Sequence, residues 1–139
     1  MIEKIRQYLI ENEIVDENCR INVDFLGEKP TEFSIEKIPV NPILESYVDG
    51  SSYRQFQFEL VSREHYGAEV LQNNANSEFY ENFYDLIENN NRLGKLPIID
   101  GIDSIKCLNN GGIDATTTNT ARYSIQMQIT YYKEAKWNL

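Results

Sequence analysis

The sequence reads as an α+β domain of two layers, a mostly antiparallel or mixed β-sheet with two main helices on one face. Three observations carry this. Two segments place apolar residues at helical spacing, and several others alternate apolar and polar residues with the period of a strand. The alternating segments keep one polar face, which suits a sheet covered on one side only. At 139 residues with 41% apolar content, the chain fits a single domain with a real core.

Ile2, Ile5 and Leu9 recur at i, i+3 and i+7 between charged residues, which predicts an amphipathic helix over 2–13. "INVDFLG" follows, with Ile21, Val23 and Phe25 alternating against Asn22, Asp24 and Leu26 until Gly27 ends the strand. "TEFSIEKIP" repeats the pattern, with Phe33 and Ile35 inward and Glu32, Ser34 and Glu36 outward. Pro39 and Pro42 then break the ladder, because proline has no N–H to donate.

The stretch from Ile43 to Glu64 reads either as two strand pieces around the turn dipeptide Asp49-Gly50 or as one projecting hairpin arm. Within it Phe56, Phe58 and Leu60 form an apolar face. Tyr53, Gln55, Gln57, Glu59, Val61 and Arg63 form the face for water or another chain.

A second helix is predicted over 77–93, with Ser77 as N-cap and Glu78 and Glu81 in its first turn. Phe79, Phe83, Leu86 and Ile87 make its stripe, and Tyr80 and Tyr84 read as rim packing. Gly94 and Pro97 mark its end. The asparagines before Ser77 weaken any helical turn there.

"GIDSIKCLNN" supplies a short strand through Ile105 and Cys107, and "GGIDATTTNT" reads as a loop that buries nothing. In the last strand Tyr123, Ile125, Met127, Ile129 and Tyr131 point inward, and Arg122, Ser124, Gln126, Gln128, Thr130 and Tyr132 outward. No internal repeat is visible.

Chemistry is sparse. His65 is the one histidine, with Glu64 as neighbour, and nothing supplies the further partner that a catalytic base needs. No nucleophile elbow or glycine-rich phosphate loop is present. "DGIDS" lacks the spacing and terminal Glu of a calcium loop. Cys19 and Cys107 have no metal-ligand spacing and read as reduced thiols. No catalytic, cofactor or metal residues are therefore assigned. The N-terminus lacks the basic and apolar regions of a signal peptide, and no run has the length of a membrane span.

The net charge of −9 argues against nucleic-acid binding and against adsorption to an anionic membrane. Tyr131, Tyr132 and Trp137 lack the interleaved basic residues of a base-stacking surface, so contact with a protein partner is the better reading.

The blocks "INVDFLGEKPTEFSIEKIPVNPI", "YVDGSSYRQFQFELVSREHYGAEVLQN", "SEFYENFYDLI" and "TARYSIQMQITYY" together resemble a family of small minor capsid or tail proteins from phages of Gram-positive bacteria. Their order is similar to the tail terminators of long-tailed phages and phage-tail-like bacteriocins, over nearly the whole of residues 1–139. The resemblance implies a homo-hexameric ring that caps the tail tube, ends its polymerisation and joins the tail to a head or collar. Its implied partners are the chain itself, the tail tube protein, the sheath protein and a head connector or neck protein, with DNA only as passing cargo. Its implied place is the particle, assembled in the host cytoplasm.

A closed ring needs one patch to meet a different patch. The residues expected there are Tyr47, Asp49, Gly50, Tyr53, Gln55 and Gln57 of the arm, with Gly111, Gly112, Asp114 and Thr117 of the loop. The rival readings are a head-side adaptor or stopper, a minor capsid protein proper, and a small enzyme using His65 and Glu64.

Overall fold

The computed structural model describes residues 1–12, 21–24, 26, 32–66, 70–117 and 119–135. It is an α+β fold with a mixed sheet. Helix α1 (Ile2–Glu11) is followed by β1 (Ile21–Val23), β2 (Glu32–Ile38), β3 (Ile43–Ser46) and β4 (Ser52–His65). Helix α2 (Val70–Leu93) then leads to β5 (Ile102–Cys107), β6 (Gly112–Thr116) and β7 (Thr120–Lys133).

The sheet is ordered β1-β2-β4-β7-β5, with β3 on the free stretch of β4 and β6 on that of β7. Among the described residues only the β1–β2 pairing is parallel. At its centre β4 and β7 pair antiparallel along their whole length, from Ser52 opposite Lys133 to His65 opposite Thr120.

Each half of the chain has a helix, a strand interrupted midway, a turn and an unbroken 14-residue strand. At each interruption an asparagine side chain accepts the backbone N–H two residues on, Asn41 from Ile43 and Asn109 from Gly111, both at 3.0 Å. This repeated order leaves no trace in the residue types.

Both helices cover one face. Ile5, Tyr8 and Leu9 of α1 and Tyr80, Phe83 and Ile87 of α2 meet Phe33, Ile35, Phe58, Leu60, Ile105, Tyr123, Ile125, Met127 and Ile129. These strand residues share one parity, as the alternation predicts. Each such side chain, fully buried, contributes about 1.5–3 kcal/mol. Phe56 and Tyr131 lie at the margin of this core, with the Lys37 ammonium 5.9 Å from the Phe56 ring centroid.

Several expectations are corrected. Ser77 is no cap, because α2 begins at Val70 and runs on through the asparagine cluster. Tertiary bonds make asparagine tolerable there. Asn76 Nδ2 donates to the His65 carbonyl oxygen at 2.9 Å, and Asn90 Nδ2 to Tyr8 Oη at 3.0 Å.

Tyr80 is not rim packing but core. It is 2% exposed, stacks on Tyr123 with ring centroids 5.7 Å apart and shares a 2.5 Å hydrogen bond with Ser62 Oγ. Burial pushes its phenol above the ordinary range. The "GGIDATTTNT" segment holds strand β6, although its residues are all exposed, as a loop's would be.

The outer face is also less wet than expected. Ser34 and Val61 are fully buried and Thr130 nearly so. Val23, expected inward, is exposed, since β1 is a three-residue edge strand. Glu13, Phe25, Gly27, Cys19 and Trp137 lie outside the described residues. The end of α2 is as expected: Gly94 has φ +75°, and the Lys95 N–H closes on the Asn90 carbonyl oxygen at 2.9 Å.

Candidate subunit interface

The face of the sheet turned away from the helices carries three zones along β4 and β7. At its centre is an amide ladder. Gln126 Nε2 donates to Gln57 Oε1 at 3.1 Å, Gln57 Nε2 to Gln55 Oε1 at 2.9 Å, and Gln128 Nε2 to the same Gln55 oxygen at 2.8 Å. Cross-strand register puts Gln57 opposite Gln128, so the ladder follows from the shared parity of the two strands. It is uncharged and its amides largely satisfy one another.

Toward the Ser52 end the Tyr53 and Tyr132 rings lie 4.9 Å apart and tilted by 34°. Tyr53 Oη donates to Asp103 Oδ2 at 2.7 Å, and Thr130 Oγ1 approaches the same oxygen at 3.3 Å. Tyr132 remains half-exposed.

Toward the His65 end Arg122 gathers Glu36 at 2.6 Å, Glu59 at 3.3 Å and Asp114. Arg122 stands opposite Arg63, one row below Val61, whereas Glu36 and Glu59 stand one row above it. The guanidinium therefore reaches across the Ser34–Val61–Ser124 row. Its ion pairs form a polar roof beside two fully buried residues.

The residues expected at an interface fall into two groups that do not meet. Tyr47, Asp49 and Gly50 form the β3–β4 turn, closed by the Tyr47 N–H on the Ser51 carbonyl oxygen at 2.9 Å. The Ser51 hydroxyl and N–H hold the Asp49 carboxyl below its ordinary range. Tyr53, Gln55 and Gln57 continue from that turn along the outer face.

Gly111, Gly112, Asp114 and Thr117 lie on or beside β6, at the far end of β7 and on the opposite edge. Gly111 has a packing role as well, since a Cβ there would stand 3.1 Å from the Tyr80 side chain. Thr117 Oγ1 and Thr120 Oγ1 bond each other at 2.7 Å across the β6–β7 turn.

The sequence marked Tyr132 for contact with a protein partner but assigned no interface role to Arg122, Gln126, Gln128 and Thr130. Their parity along β7 marked them as outward, and that signal was sufficient to pair them with Tyr53, Gln55 and Gln57. Glu36 and Glu59 were marked outward by the same parity on their own strands, whereas Asp103 carried no comparable signal.

His65 is exposed at the end of β4. Consecutive strand residues point to opposite faces, yet the His65 charge still acts on the Glu64 carboxyl, lowering it against the larger effect of burial. Burial raises the Glu64 carboxyl above its ordinary range. The open cleft of about 630 Å³ lined by Lys4, Gly101, Tyr131 and Lys133 lies at the other end of the ladder.

Among the described residues no cluster of His, Cys, Asp and Glu is arranged to hold a metal ion, and no helix is long and apolar enough to cross a membrane. Comparison with protein-family models finds no match to the chain, and comparison with curated proteins finds none either.

Proposed function

We propose that the chain is a structural subunit of a phage tail or phage-tail-like particle, a tail terminator that caps the tail tube as a hexameric ring. The reading starts from the resemblance of the strand and helix blocks to such proteins. One structural observation supports it most. Each copy exposes two different strand-bearing corners, the β3–β4 hairpin and β6, on opposite edges of one rigid sheet. Two unlike patches on one subunit are what head-to-tail ring closure requires. The amide ladder between them supplies a flat polar surface for the tube protein or a neighbour, of the kind found in wet, hydrogen-bonded interfaces.

The test is electron microscopy of particles produced with and without the chain. Tubes of uniform length bearing a six-fold ring of this chain at one end are expected with it, and overlong or uncapped tubes without it. Tails of normal length and normal ends in its absence would overturn the reading. A ring seen only on the head side of the joint would replace it with the adaptor role.

A further inference from the structure

The four edge segments of the sheet are not equivalent. The outer edge of β2 is paired over Phe33–Ile35 with β1, itself an edge strand but only three residues long. On β5 the Ile105 N–H is taken by Asn91 Oδ1 of α2 at 3.0 Å, and on β3 the Ile43 N–H is taken by Asn41 Oδ1 at 3.0 Å, which leaves the edge of β3 open beyond Ile43. Among the described residues β3 pairs only with β4, and β6 only with β7. Every residue of both strands is exposed. Apolar side chains accompany them: Ile43, Leu44 and Val48 on the hairpin, with Val48 fully exposed, and Ile113 on β6. An open edge with exposed apolar side chains is a template for adding a strand.

Strand direction selects the occupant. β3 runs against β4, β4 against β7 and β7 against β6, so β3 and β6 run in opposite directions. Two copies side by side, with the same face up, therefore bring β3 of one against β6 of the next as an antiparallel pair. The strands are similar in length, four and five residues, and each carries a register shift beside an isoleucine, Ile43 or Ile113.

We propose that β3 of one copy adds to the outer edge of β6 on the neighbouring copy, continuing the sheet from subunit to subunit. The proposal deepens the ring reading and rests on it for the presence of a second copy. Charge favours this pairing over β3 with β3. The segment 43–51 holds Glu45 and Asp49 and no basic residue, so a two-fold pairing would set like charges against each other. On β6 the sole acid, Asp114, is already ion-paired with Arg122. The register shifts keep the added ladder short, so a single contact is weak and closure of the ring reinforces it.

The experiment uses the full chain with Cys19→Ser and Cys107→Ala. One preparation carries Leu44→Cys or Glu45→Cys, and a differently tagged one carries Ile113→Cys or Asp114→Cys. A disulfide needs Cβ atoms within about 4 Å, so four pairings sample the register. After mixing and mild oxidation, a disulfide joining the two tags is expected to predominate in at least one pairing. Leu44–Leu44 or Glu45–Glu45 species alone would overturn head-to-tail addition.

Rings by native mass spectrometry with no mixed disulfide in any pairing would overturn the strand contact and leave the ring reading standing. Neither rings nor disulfides, with tubes supplied, would overturn both. Should the cysteine-free background fail to fold, hydrogen exchange on the unmodified chain decides. Assembly is expected to protect the amides of both 43–46 and 112–116, and protection of only one or neither would overturn the proposal.

Discussion

The Arg122 guanidinium lies 2.6 Å from Glu36 Oε2, two strands away, and the bond between them passes over the row that holds fully buried Val61. A surface ion pair alone contributes about 0–1 kcal/mol. Here one cation links β2, β4 and β6 to β7, and its removal leaves three carboxylates to repel one another. Arg122→Ala is expected to lower Tm by about 2–4 °C, which corresponds to about 1 kcal/mol in a domain near this size. Hydrogen exchange should rise most in β6, whose Asp114 loses its partner. An unchanged melt together with unchanged exchange at 112–116 would refute the roof.

The Tyr80 hydroxyl and Ser62 Oγ are both buried and satisfy each other. Ser62 also bonds the Glu64 carboxyl, so Tyr80→Phe leaves the Ser62 hydroxyl a partner and is expected to cost only about 0.5–1.5 kcal/mol. Ser62→Ala instead takes the partner from the buried Tyr80 hydroxyl, at a cost of about 1–3 kcal/mol. The double variant Tyr80→Phe/Ser62→Ala is expected to recover part of that loss, because the buried phenol is then gone. Urea unfolding of the three variants measures this. Equal destabilisation in Ser62→Ala and the double variant would show that the hydrogen bond is not what matters.

The alternation of Phe58–Leu60 and Tyr123–Ile129 made the core strands legible, because a sheet covered on one side writes its two faces into the residue types. β6 was illegible for the matching reason. Gly112–Thr116 buries nothing, and its strand conformation comes from the free edge of β7 rather than from its own side chains. The start of α2 was obscured because Asn76 is a helix-poor residue whose compensating partner, the His65 carbonyl oxygen, lies 11 residues away. The candidate interface was visible in Tyr53, Gln55 and Gln57. The Arg122 cluster was not, since it joins residues 86, 63 and 8 positions apart and no local pattern carries such a contact.

Gly101 and Gly94 both adopt positive φ, +73° and +75°, but only one is crowded. A Cβ on Gly101 would stand 2.2 Å from the Tyr132 carbonyl oxygen, a backbone atom that cannot swing aside, whereas Gly94 has nothing within 4 Å. Gly94→Ala is expected to cost about 1 kcal/mol, the backbone strain alone. Gly101→Ala must cost clearly more and should displace the end of β7. Thermal melts compare them, and equal losses would contradict the close approach.

Burial, with Glu88 as a lesser contributor, pushes the Cys107 thiol from its ordinary 9.0 up to about 12. The folded state thus favours the protonated form. Its contribution to stability is full below the unfolded value and is lost as pH rises through about 12. At neutral pH the folded chain should react with a thiol reagent at Cys107 far more slowly than the urea-unfolded chain, because the thiolate is the reactive species. Equal rates in both states would mean that Cys107 is not held as a buried thiol.

The ring brings six copies of a −9 chain together, a net formal charge of 6 × −9 = −54. Exposed like charges repel over a Debye length of about 8–10 Å at moderate salt and over less as salt rises. The contacts proposed between β3 and β6 are short and largely uncharged, so salt weakens the repulsion more than the attraction. The isolated chain is therefore expected to be monomeric at low ionic strength and to shift toward closed rings as salt increases. Docking on the tube should have the same effect, its contacts offsetting the repulsion. Sedimentation or native mass spectrometry across salt measures this. Association that weakens as salt rises would show that ion pairs, and not strand edges, hold the copies together. Tight binding of the purified chain to duplex DNA at moderate salt would contradict a surface whose charge repels phosphate.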